Sequence, residues 1–220
     1  PGEVYTSILR VTNETDRTQT YYIHARDILR VSDTGSSVFA GRGEYEVFGL
    51  AEWFEANEGP IEVGAGETVE IPFTLRVPEN ASPGSHYGGI FVGPEAEEQD
   101  LTGAGIGYQV VPLIDMQISG EIIEKAQIRS FSTDRLFYGK PEVTFNTAVD
   151  NLGNVTVQPT GPIEIESMFG TEIASLTVNE TNGRVLPAVG EPTKRSFETE
   201  WKGEDGRIYF GRYVATVSLV

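Results

Sequence analysis

The sequence contains no cysteine and only two histidines, His24 and His86. The absence of cysteine excludes disulfides, thiolate zinc sites and iron–sulfur clusters. Neither histidine lies in a motif with carboxylates at metal-ligand spacing, and the chain has no Gly-x-Ser-x-Gly motif. Nucleophilic catalysis therefore has no candidate constellation. We expect a protein that is not an enzyme and that uses no cofactor.

Basic residues are also scarce: 16 Lys and Arg stand against 33 Asp and Glu, for a formal net charge of −17. This balance opposes binding to nucleic-acid phosphates and direct binding to anionic lipid. No apolar run reaches the roughly 18–20 residues of a membrane-spanning helix. Val220 ends the chain within a strand pattern, so we expect the native protein to continue, with a membrane anchor as one continuation.

The loop from residue 93 to residue 105 contains a cluster of carboxylates at Glu95, Glu97, Glu98 and Asp100. Carboxylate oxygens are the ligands that Ca²⁺ prefers, so a weak Ca²⁺ site is one interpretation. The loop lacks the alternating Asp/Asn spacing of a dedicated calcium loop. A solvated loop without a metal is the simpler interpretation.

Alternating apolar and polar residues recur along the whole chain. The clearest example places Val69, Ile71, Phe73, Leu75 and Val77 on one face of a single strand. Such segments recur every 8 to 12 residues with turn signals between them, and no segment shows a convincing helical period. We predict an all-β protein with two immunoglobulin-like β-sandwich domains in tandem, residues 1–121 and 122–220.

Glycine and proline positions make more local predictions. In the hairpin of residues 77–92, Gly88 and Gly89 lie inside a strand, which predicts a bulge or the close approach of another backbone. Pro72 cannot donate to a ladder, so we expect it on an edge strand or at an unbonded position. The dense apolar run of residues 105–119 predicts a central strand that is buried on both faces.

Three aromatic residues, Trp53, Phe54 and Tyr87, are the candidate binding residues. If exposed, Trp53 and Phe54 would form a platform for a sugar ring or for a partner protein. The alternative is that they close the end of a sandwich as part of its core.

Four Asn-x-Ser/Thr sequons begin at Asn13, Asn80, Asn154 and Asn179. All four lie in or near predicted turns, which suits glycosylation in a secreted protein. Turns are rich in Asn, Ser and Thr, so coincidence is the alternative explanation.

Several motifs in the first half resemble the N-terminal domain of WxL-interacting proteins of bacterial cell surfaces. They are Pro-Gly-Glu at residues 1–3, Val-Thr-Asn at 11–13, Gly-Ala-Gly-Glu-Thr at 64–68 and the hairpin at 77–90. The resemblance implies two immunoglobulin-like domains in the cell envelope, usually followed by a membrane anchor. It implies that the first domain is associated with peptidoglycan and the second with host or partner proteins. The second half here is more similar to a generic bacterial immunoglobulin-like module.

These observations lead to a non-enzymatic, extracellular cell-envelope protein that binds a wall polymer or another surface protein. The alternative is a structural subunit of an extracellular filament, assembled and self-associated through strand-edge pairing. A carbohydrate-active β-sandwich is a third hypothesis, but 33 acidic residues offer too many carboxylate pairs to identify one.

Overall fold

The computed structural model describes residues 1–32, 36–41, 43–93, 110–187, 193–204 and 208–220. The chain divides into two compact units. Unit 1 comprises Pro1–Leu29 and Ser37–Glu121, and unit 2 comprises Arg30–Ser36 and Ile122–Val220. The carboxylates Glu95, Glu97, Glu98 and Asp100 lie outside the described residues, so the Ca²⁺ interpretation stays a prediction.

Unit 1 is built from two antiparallel sheets. Its elements in chain order are β1 (Val4–Thr12), β2 (Gln19–Val31), β3 (Ser37–Phe39), a 3₁₀ turn (Ala51–Trp53), β4 (Phe54–Ala56), β5 (Ile61–Val63), β6 (Thr68–Arg76), β7 (Gly84–Gly93) and β8 (Leu113–Ile118). One sheet has the order β1-β6-β4. The other has the order β3-β2-β7-β8, with β5 paired to β2.

The core of unit 1 lies between these sheets, because each sheet contributes its inward row of apolar side chains. Val11 and Ile71 come from the first sheet, and Ile23, Ile90 and Val92 come from the second. Alternation along each strand places these residues on one face, as the sequence predicts.

Unit 2 is also a sandwich of two antiparallel sheets. Its strands are β9 (Ala126–Thr133), β10 (Glu142–Asn151), β11 (Gly161–Ser167), β12 (Glu172–Val178), β13 (Thr193–Lys202) and β14 (Tyr213–Val217). The sheet orders are β13-β10-β9 and β12-β11-β14. Phe145 and Phe197 from the first sheet pack with Ile163 and Ile165 from the second. The prediction of an all-β chain with immunoglobulin-like sandwiches is confirmed.

The two glycines of the central strand β7 have different close neighbours. A Cβ built on Gly88 would lie 3.0 Å from the backbone oxygen of Arg26, as the sequence predicts, whereas Gly89 faces side chains. A Cβ built on Gly89 would lie 2.6 Å from Val111 Cγ1 and 2.7 Å from Phe39 Cε1. The pairing of β7 with β2 runs through Gly88 and Gly89 without a shift of register. A side chain at Gly89 would therefore have to displace Val111 and Phe39, and the bulge alternative is wrong.

The prediction of a doubly buried central strand in residues 105–119 is wrong for the described part. β8 is an edge strand, in which Leu113, Asp115 and Gln117 are exposed and the intervening residues point inward. Strand β7 holds the fully buried central position instead. Although the stretch is rich in apolar residues, exposed and inward-facing side chains alternate along β8. Two of its three exposed positions, Asp115 and Gln117, are polar.

Pro72 lies in β6, the central strand of its sheet, so an edge position is wrong. It pairs with Ile8, and the last pair between β4 and β6 is Ala56 with Phe73. Pro72 therefore lies one residue beyond the end of the β4 ladder, which is the unbonded position that the sequence offered as the alternative.

None of the helical segments in the described ranges is long and apolar enough to span a membrane.

Candidate interaction surfaces

The predicted aromatic residues of unit 1 do not form a surface platform. Trp53 is 8% exposed and Tyr87 is 6% exposed, and Phe54 is half-buried with its ring 5.5 Å from that of Phe73. Burial raises the pKa of the Tyr87 hydroxyl well above its usual value, and the negative charges of Glu46, Asp27 and Asp115 raise it further. These residues occupy the core position that the sequence left open as the alternative.

A buried carboxylate and a buried imidazole hold these aromatic residues inside. Asp27 is 1% exposed and accepts hydrogen bonds from the backbone N–H groups of Glu46, Leu50 and Ala51 at 2.7–2.8 Å. His86 lies with its ring 4.5 Å from that of Trp53, and its nitrogens lie 2.9 and 2.8 Å from the carbonyl oxygens of Gly49 and Ser82. Both groups therefore fix the chain around the 3₁₀ turn.

The four sequons differ in accessibility. Asn13 is fully buried and Asn179 is 6% exposed, and each donates its amide N–H groups to backbone carbonyls. Asn154 is half-buried and its amide oxygen accepts the N–H of Ile123, whereas Asn80 is exposed. Glycosylation of the folded chain stays a prediction, with Asn80 the most accessible of the four sites.

Strand β1 forms one edge of a sheet in unit 1. Asn13 N donates to Glu67 O, and Val77 N donates to Glu3 O. Bonding alternates along an antiparallel pair, so the odd-numbered residues of β1 direct their backbone groups towards β6. The even-numbered residues, among them Thr6 and Ile8, direct theirs to the outer edge. No other strand in the described ranges pairs with this edge, which we call the open edge.

The open edge carries few of the features that normally block strand addition. β1 has nine residues, no proline, and one charged residue, Arg10, which pairs with Glu70 on β6 at 2.8 Å. Its register with β6 runs without a shift from end to end. Val4 and Ile8 are 52% and 55% exposed. A long, regular and apolar edge of this kind is a template for an incoming strand.

The second candidate surface is one end of unit 2, where three loops meet. Residues 134–141 join β9 to β10, and residues 168–171 join β11 to β12. The third loop follows β13, and its described residues are 203–204 and 208–212. The start of β10 pairs with the end of β13, and the end of β11 pairs with the start of β14. These pairings bring the three loops to the same end of the sandwich.

Six large apolar side chains project from these loops. We call this group the apolar end: Leu136, Phe137, Met168, Phe169, Ile208 and Phe210. Met168 is 59% exposed and the other five are 85–92% exposed. The three phenylalanines alone expose roughly 400–650 Å². The six side chains together expose a larger apolar area still, as separate projections from three loops.

Local hydrogen bonds hold two of these loops in place. In the β11–β12 turn, Gly170 N donates to Ser167 O and Ser167 N donates to Thr171 O, both at 2.9 Å, with Gly170 at φ +75°. In the β9–β10 loop the Tyr138 hydroxyl donates to Asp134 Oδ1 at 2.6 Å, which lowers the pKa of that carboxyl. Leu136, Phe137, Met168 and Phe169 are thus exposed on two loops that internal hydrogen bonds hold in place.

Polar and aromatic groups accompany the apolar side chains at this end of unit 2. The Tyr209 ring packs edge-on against Trp201 with ring centroids 5.2 Å apart, and its hydroxyl accepts the N–H of Glu204 at 2.9 Å. A groove of about 610 Å³ beside the β9–β10 loop is lined by charges of both signs. They are Arg135, Lys140 and Lys202 with Asp134, Glu142 and Glu200.

Sequence reasoning did not find either surface. Within the apolar end, Met168 and Phe169 are adjacent in the sequence and are followed by Gly170, a residue type that is common in turns. Residues in turns usually face water, so two large apolar side chains in such a place are the signal that could have identified the apolar end.

The described residues contain no group of three or more His, Cys, Asp or Glu side chains positioned to hold a metal ion.

No protein-family model matches the chain, and no curated protein matches it. The resemblance to WxL-interacting proteins therefore stays a prediction. Among solved structures, the chain is similar to the class 5 fimbriae chaperone CfaA, with 13% identity, a TM-score of 0.46, and coverage of 99% of this chain and 92% of that one. It is similar to the Pseudomonas aeruginosa CupB2 chaperone, with 9% identity, a TM-score of 0.41, and coverage of 97% and 91%. A third similar structure is the CsuC–CsuE chaperone–tip adhesion subunit complex of Acinetobacter baumannii, with 9% identity, a TM-score of 0.43, and coverage of 98% and 89%.

Proposed function

We propose that this chain is a non-enzymatic protein of the extracellular cell envelope that binds another surface protein by accepting a strand at the open edge. The observation that carries the proposal is the nine-residue strand β1, whose outward backbone groups have no partner strand in the described ranges. Strand addition takes its affinity from main-chain hydrogen bonds and its specificity from alternate side chains. Val4 and Ile8 supply exposed apolar positions for that specificity.

A wall polymer is the other partner named by the sequence. A polysaccharide would need exposed aromatic faces, whereas Trp53 and Tyr87 are buried. A protein partner therefore agrees better with the surface of unit 1. No cofactor or metal takes part in this mode of binding.

The test is retention of the labelled protein on isolated cell envelopes, on envelopes digested with protease, and on purified peptidoglycan. We expect retention on intact envelopes and its loss after digestion. Thr6→Pro removes one outward donor of β1 while leaving the ladder to β6 intact, and Thr6→Val keeps that donor. We expect Thr6→Pro to weaken retention at least about tenfold and Thr6→Val to leave it unchanged.

Equal retention on purified peptidoglycan would assign the polymer as the partner instead. Absence of retention on every preparation would contradict the proposal as a whole.

The same edge supports the filament subunit as a second candidate, with another copy of the chain supplying the strand. Light scattering across a range of concentrations tests it, because self-pairing makes the molar mass grow and Thr6→Pro would prevent this growth. A charge of −17 on each copy opposes self-association, so a different protein is the preferred partner.

A further inference from the structure

The apolar end of unit 2 has no role in strand addition at β1, and its chemistry points to a different ligand. We propose that it inserts into the interface of a zwitterionic lipid bilayer. This inference is independent of the proposed function, because it concerns other residues in another unit.

The first argument is the exposure of the individual side chains. Side chains that are 85–92% exposed do not shelter one another, so Phe137, Phe169 and Phe210 project separately from three loops. A protein partner would need three pockets that match these projections. Fluid acyl chains conform to any set of projections, and each buried side chain contributes independently.

The second argument is the set of three tyrosines that accompany the apolar side chains. Tyr138, Tyr209 and Tyr213 are half-buried, and the hydroxyl of each forms a hydrogen bond with a residue three to five positions away in the chain. Tyrosine at the level of the lipid headgroups, with apolar residues beyond it, is the arrangement of membrane-interface proteins.

The third argument is charge. At this end Arg135 pairs with Asp134 at 3.2 Å and Lys202 pairs with Glu200 at 3.6 Å. The charged residues beside the apolar end therefore form close pairs of opposite charge. The adjacent groove of about 610 Å³ also presents both signs. A phosphocholine or phosphoethanolamine headgroup carries both signs as well, whereas an anionic surface would be repelled by a chain of net charge −17.

The test is flotation of the purified protein with phosphatidylcholine vesicles. We expect the wild type to float with the vesicles, and to do so equally at about 1 M salt, where the Debye length is about 3 Å. The double variants L136S/F137S, M168S/F169S and I208S/F210S should each lower the partition coefficient at least about tenfold. Circular dichroism melts of the same samples check that each variant is folded.

The matched control is Y45S/V47S, which removes two apolar side chains that are 56% and 52% exposed in unit 1. It should float like the wild type, as should Thr6→Pro, so that failure of the lipid proposal is separate from failure of strand addition. Three results would overturn the proposal: no flotation of the wild type, equal flotation of the serine variants, or loss of flotation in high salt. A concentration-dependent molar mass that disappears in the serine variants, without flotation, would reassign the apolar end to contact between copies.

Discussion

The two units differ in which aromatic residues of their loops are buried and which are exposed to solvent. In unit 1 the segment before β4 turns Trp53 inward, because Asp27 accepts three backbone N–H groups and His86 lies against the indole. In unit 2 the loops turn Tyr138 and Tyr209 inward and leave phenylalanine outside. The difference shows that local polar anchors decide which aromatic residue is covered, and that composition alone does not.

The largest difference in stability should appear when one aromatic residue is replaced in each unit. Trp53→Ser should cost about 3–5 kcal/mol of stability, because it leaves a cavity in the core of unit 1. Phe137→Ser should change stability by no more than about 0.5 kcal/mol, because the side chain is 90% exposed. Urea unfolding followed by circular dichroism measures both. Similar costs for the two variants would contradict the contrast between the units.

The next largest loss of stability should come from replacing Asp27, which anchors the segment before β4. Asp27→Ala leaves the N–H groups of Glu46, Leu50 and Ala51 without their acceptor, which should cost about 3 kcal/mol or more. The control is Glu67→Ala, since the exposed Glu67 carboxylate accepts one backbone N–H, from Gly64 at 2.9 Å. The control should lose about 1 kcal/mol or less in the same urea unfolding experiment. A small effect of Asp27→Ala would show that other contacts hold the segment in place.

A smaller effect should appear in alkaline solution. Burial raises the pKa of Tyr87 above its ordinary value of 10.0, so the folded state favours the neutral phenol. This contribution to the free energy of unfolding is complete at pH values below the pKa of the tyrosine in the unfolded chain. It is lost as the pH rises from that value towards the higher pKa of Tyr87 in the folded protein. Above about pH 10 we expect the wild type to lose about 1.4 kcal/mol per pH unit more than Tyr87→Phe. Parallel pH dependences of the two proteins would contradict the assignment.

Much of the fold follows from the sequence. The run of Val69, Ile71, Phe73, Leu75 and Val77 predicts β6 because alternation depends on residues that are adjacent in the chain. The burial of Trp53 could not be settled, because the residues around it have no clear period. Its position depends on Asp27 and His86, which lie in other parts of the chain.

The two surfaces depend on topology in the same way. The loops that carry Phe137, Phe169 and Phe210 lie at one end of unit 2 because strand pairing brings together segments that are distant in sequence. The open edge exists because β1 takes the outer position in its sheet, which alternation along β1 does not reveal.

Amide hydrogen exchange along β1, measured residue by residue with and without solubilised envelope protein, tests the open edge most directly. In the free protein the amides of Thr6, Ile8 and Arg10 should exchange rapidly, and those of Ser7, Leu9 and Val11 should be protected by β6. Bound protein should gain protection at Thr6, Ile8 and Arg10. Protection of all six amides in the free monomer, or no change on binding, would contradict strand addition at β1.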